Sequence, residues 1–134
     1  MEIVAMNRYL LAAAIMSFLT MLVHVFLGGP EVLDPGLASP LDDVWKGVFV
    51  VVWHAVSAIL LINAVALGFA ARGQGAKPVA LLVAAQYLAF TALFLFYGAT
   101  MLGTLWPMPQ WIIFIAISAV ILWPYRPGQQ AARG

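Results

Sequence analysis

The side chains best suited to chemistry in this chain are two histidines, His24 and His54, each inside a long apolar run. An imidazole near pH 7 can ligate a metal, exchange a proton or act as a neutral hydrogen-bonding group. Glu31 and Asp34 follow His24 in the segment "GGPEVLDPG" and could close above it. His24, His54 and Glu31 or Asp34 together would suit zinc or ferrous iron. The same two imidazoles could be the axial ligands of a b-type haem, approaching a flat ring from opposite sides. Neither arrangement carries a local signature such as HxxxH or ExxH. The plain alternative is a packing role, each neutral imidazole bonded to Tyr97, Ser57 or a backbone carbonyl.

Other chemistry is excluded or disfavoured by what the chain lacks. It has no cysteine, and hence no disulfide, thiolate metal site, c-type haem attachment or cysteine nucleophile. It has no nucleophile elbow, phosphate loop or zinc-protease helix motif. No carboxylate or lysine lies inside an apolar run, which disfavours proton-coupled export. No run is interrupted by a Pro–Gly break of the kind that builds a discontinuous-helix substrate site. Acid–base chemistry by His24 with Glu31 is the one enzymatic arrangement left, and the balance leans against an enzyme.

The elements that must position these residues follow from composition. Of 134 residues, 65% are hydrophobic and 8% charged, against about 25% charged in a soluble domain. Such a chain cannot cover a water-facing surface, so lipid must solvate much of it. A net charge of +1 points to neither nucleic acid nor an acidic partner. Four apolar stretches, roughly Tyr9–Leu27, Gly47–Ala71, Val79–Leu102 and Trp111–Trp123, approach the ~20 residues that a membrane-crossing helix needs, the fourth being the shortest. With their flanks they give expected helices over about 9–27, 42–71, 79–102 and 110–124. The first is too long for a signal-peptide core and reads as an uncleaved transmembrane helix. The expected fold is an all-α integral membrane protein. It is one domain over 1–134, a four-transmembrane-helix antiparallel bundle with an ordered outer loop between helices one and two.

Basic residues set the expected orientation. Arg8, Arg72, Lys77, Arg126 and Arg133 fall at the amino terminus, the second connection and the carboxyl terminus, whereas the first connection holds Glu31, Asp34, Asp42 and Asp43 against Lys46. Both termini should be cytoplasmic, in a bacterial inner (plasma) membrane. Trp45, Trp106, Trp111, Trp123 and Tyr125 sit near the expected helix ends, as interfacial aromatics do. In "SPLDD", Ser39 is expected to cap helix two, with Pro40 in its first turn. In "GGP", glycine is expected to permit a turn and proline to stop helix one.

Helix geometry places His24 about 24 Å above Arg8 and His54 about 27 Å above Arg72, in one layer near the outer surface. Ala13, Ser17, Thr20 and His24 form a small or polar stripe on helix one. Gly47, His54, Ser57, Leu61 and Gly68 approximate another on helix two, and the two stripes are expected to face each other. Tyr97 and Gln110 lie at similar heights. Gln86 is expected to partner Asn63 near mid-membrane. "WPMPQW", Trp106 to Trp111, reads as a rigid outer turn, with an aromatic rim for a lipid or quinone-like ring as its functional alternative. The leading functional expectation is an accessory or assembly subunit of a membrane complex, its partners the lipid bilayer and a larger membrane complex or further copies of itself. The alternatives are a haem b or divalent-metal protein, and a lipid- or quinone-binding protein.

Overall fold

The computed structural model describes residues 6–73 and 76–126; Arg133 lies outside them. All regular structure among the described residues is helical: α1 (Arg8–Phe26), a wide π turn (Gly29–Leu33), α2 (Asp34–Ala38), α3 (Asp43–Ala70), α4 (Ala76–Tyr97), a second π turn (Gly98–Leu102), α5 (Gln110–Leu122) and a closing 3-10 turn (Trp123–Tyr125). Three helices, α1, α3 and α4 with its π extension to Leu102, are long and apolar enough to cross a membrane. The fourth, Gln110–Tyr125, is apolar but shorter.

The four main helices form a ring in chain order. Helix α1 packs on α3 and α5, and α4 packs on the same two. One end is tied by the Asn7 N–H, which donates to the Ala71 carbonyl at 2.8 Å, and by the Tyr9 ring stacked on Trp123 at 6.4 Å. The start of α1 therefore sits beside the ends of α3 and α5. Arg8, Arg72, Lys77 and Arg126 all lie at this end. Glu31, Asp34, Asp42 and Asp43 lie at the other.

Burial is concentrated toward the basic end. Leu10, Ala13 and Ala14 of α1 meet Leu60, Ala64 and Leu67 of α3, Ala80, Val83, Ala84 and Tyr87 of α4, and Phe114, Ile117 and Ile121 of α5. Alanines at these contacts let helix backbones approach closely, which is the main source of packing energy where lipid is as apolar as the core. Residues 43–59 of α3 include no buried side chain.

Two local expectations are corrected. The cap of α3 is Asp42, whose carboxylate accepts from the Trp45 N–H at 3.1 Å. Ser39 instead turns its hydroxyl back onto the Gly36 carbonyl at 2.6 Å, closing α2. Nor does "GGP" reverse the chain. Gly28 keeps right-handed helical angles, and the coil widens so that the Asp34 N–H reaches the Gly29 carbonyl. Pro30 has no N–H to supply a normal helical bond, and a wide turn accommodates that loss. The left-handed glycine is elsewhere: Gly103, φ 64°, ends the α4 extension.

Candidate functional site

The His24 neighbourhood is built by α1, α3 and the α2 cap. His24 Nε2 lies 3.2 Å from the Trp53 carbonyl oxygen. A carbonyl can only accept, so Nε2 carries the proton in this contact. The imidazole also stacks on the Trp53 indole, centroids 4.1 Å apart and planes 20° from parallel. Ser57 donates its hydroxyl to the same Trp53 carbonyl at 3.1 Å. Phe49 meets Trp53 edge-on at 6.2 Å. Above them sit two glycines whose missing side chains make room. A Cβ at Gly28 would stand 3.2 Å from the Trp53 ring, and one at Gly36 would overlap the Phe49 ring.

The group that His24 contacts is thus Trp53, and His54, one residue on, is exposed. About 100° separates consecutive residues on a helix, and that single step takes His54 off the direction in which Trp53 meets His24. The corrected buried stripe of α3 is Leu60, Asn63, Ala64, Leu67 and Ala70, with Trp53 and Val56 half-buried above it. Gly47, His54 and Leu61 of the expected stripe are exposed.

The remaining candidate residues are dispersed. Glu31 and Asp34 are exposed on the cap. Among the described residues no group of three or more His, Cys, Asp or Glu side chains is gathered where a metal ion could be held, so His24, His54 and Glu31 do not converge. One face of the His24 ring is covered by the Trp53 indole, and His54 is exposed. Tyr97 is exposed and meets Phe96 edge-on at 5.2 Å. Gln110 is exposed at the start of α5, and Trp106 is 75% exposed. Trp111 is half-buried, its indole N–H shielded and without a hydrogen-bond partner.

A second polar layer lies deeper, and the expected Asn63–Gln86 pair belongs to it. The Asn63 amide donates to Gln86 Oε1 at 3.2 Å, joining α3 to α4. Beside it, the Tyr87 hydroxyl donates to Ser17 Oγ at 2.8 Å across the bundle, joining α4 to α1. Tyr87 and Ser17 are both fully buried. Tyr87 also packs its ring on Phe114 at 5.4 Å, bringing in α5. One layer therefore ties all four helices. Tyr87 is the residue that sequence reasoning missed. Its signal was the stripe Ala80, Val83, Ala84, Tyr87 and Thr91, all buried, which repeats with helical period.

No family model matches this chain, and no match is found among curated proteins or solved structures. The functional reading rests on the geometry alone.

Proposed function

We propose that this chain is a four-helix membrane subunit, with its basic end and both termini cytoplasmic in a bacterial inner membrane, that serves a larger membrane complex as an accessory or assembly component. The observation that carries the reading is the exposed face of α3. Gly47, Val51, His54, Ala58, Leu61 and Val65 recur at helical spacing, and every one is exposed. His54 stands about 24 Å from the Ala70 end of α3, inside a hydrocarbon layer about 30 Å thick. An ionisable side chain turned toward lipid at that depth is costly, and such groups normally find a polar partner. Gly47 and Ala58 give a second helix room to come close. Lower on the same face, Leu61 and Val65 join Ala14, Ile15, Phe18 and Ala64 around an apolar groove of about 300 Å³ between α1 and α3. The occupant that fits is a transmembrane helix of another polypeptide, with a hydrogen-bonding group opposite His54.

The charge distribution supports the orientation, because basic residues favour the cytoplasmic side. Helix α5 with its 3-10 turn spans roughly 24 Å, a mismatch that tilt and local thinning absorb at modest cost. The test is photocrosslinking in native membranes from a benzoylphenylalanine at Ala58 on α3 or at Leu82 on α4. The proposal expects a one-to-one adduct with a single other polypeptide from position 58, absent from 82 and lost in His54→Leu. Adducts of twice the chain mass, or with lipid only, would overturn it.

A further inference from the structure

We infer that the α1–α5 edge of the basic end holds the phosphodiester of an anionic lipid headgroup between Arg8 and Arg126. The inference rests on the reading of this chain as membrane-spanning, but not on its having a protein partner. Tyr9 of α1 and Trp123 after α5 stack across the helix junction, centroids 6.4 Å apart. Each ring carries a guanidinium. Arg126 lies 3.2 Å from the Trp123 centroid and Arg8 lies 5.3 Å from that of Tyr9. A guanidinium held by its face against a ring leaves its N–H edge free for an oxyanion, and the edge is the part that matches phosphate. Arg126 is oriented further by its Nε–H, which donates to the Trp123 carbonyl at 3.3 Å and leaves the terminal nitrogens available. Both arginines are exposed.

Position selects the source of the anion. Trp123 and Tyr125 mark the headgroup level of a bilayer, and the acidic residues of the described chain all lie at the far end of the bundle. A site at that level, with one guanidinium stacked on Trp123 and a second beside Tyr9, favours a phosphodiester without its own cation. Arg72 and Lys77 lie at the α3–α4 connection, away from this edge. They add to the general field without belonging to the clamp.

The experiment is native mass spectrometry of the full chain in detergent, titrated with a phosphatidylglycerol or a phosphatidylcholine, and with inorganic phosphate as competitor. The anionic lipid should bind in preference to the zwitterionic one. Arg8→Gln and Arg126→Gln should each weaken it about fivefold, and the double variant about 30-fold, while leaving phosphatidylcholine binding unchanged. Arg72→Gln should cost less than either, and Lys46→Gln nothing. Equal binding of both lipids, or equal losses from Arg72→Gln and Arg126→Gln, would overturn the clamp. Displacement by inorganic phosphate at the lipid's own concentration would overturn the lipid as its ligand. Circular dichroism confirms that the variants, three at exposed positions and Lys46 half-buried, keep their helices. Failure of the membrane reading itself is separately visible, as a chain that stays monodisperse without detergent.

Discussion

The Tyr87–Ser17 hydrogen bond sets a measurable asymmetry. Both groups are fully buried and 2.8 Å apart, on helices that are otherwise joined through their neighbours. Tyr87→Phe removes the donor but leaves the ring on Phe114 intact, and the freed Ser17 hydroxyl can turn to a carbonyl of its own helix, as Thr20 does to Met16 at 2.8 Å. Hydrogen bonds between transmembrane helices contribute about 0.6 kcal/mol on average and at most about 1.7, so this variant should cost within that range. Ser17→Ala should cost more, about 1–3 kcal/mol, because it removes the acceptor of a fully buried phenol. The double variant then costs less than the sum, with a coupling of about 0.6–1.7 kcal/mol. The assay is reversible unfolding in bicelles against increasing SDS, followed by far-ultraviolet circular dichroism. Coupling below about 0.3 kcal/mol would refute the reasoning, since independent sites add within that margin.

Further outcomes follow from other contacts. Asn63→Leu should destabilise by about 1 kcal/mol by leaving the Gln86 amide oxygen without its donor, and Asn63→Leu with Gln86→Leu should recover most of it, read in the same unfolding assay. Gly36→Ala forces the Phe49 ring to move at a cost of about 1–3 kcal/mol, which should appear as faster hydrogen exchange and proteolysis within residues 29–42. Phe49→Leu should restore protection. Gly68→Ala, where an added Cβ meets nothing within 4 Å, should instead stabilise α3 by about 0.5–1 kcal/mol in the unfolding assay.

How much of this was legible differs by helix. The stripe on α1 could be read because small and polar side chains mark packing, and Ala13 and Ser17 are indeed buried. Asn63 and Gln86 could be paired because two amides in apolar helices have few other partners. The face of α3 was read wrongly for a physical reason. Where lipid and core are equally apolar, hydrophobic contrast does not distinguish inside from outside, and Gly47, His54 and Leu61 mimic a packing stripe as well as Leu60, Ala64 and Leu67 form one. Trp53 escaped notice because a tryptophan in such a helix fits an interface, a core or a lipid-facing position alike. That choice decided where His54 points. The α2 cap depends on Phe49 and Trp53 filling the spaces of Gly36 and Gly28, contacts between residues far apart in the chain that no local pattern announces.

The central claim is that four helices cross the bilayer with the basic end inside, and a chain without cysteine lends itself to a direct test. Single cysteines at Ala38, which ends the short α2, and at Gly73 and Thr104, all outside the long helices, can be probed in intact cells with a membrane-impermeant maleimide. The account predicts labelling at Ala38 and Thr104 without permeabilisation, and at Gly73 only after it. Labelling of Gly73 together with Thr104 from the same side would contradict it, because α4 could not then cross.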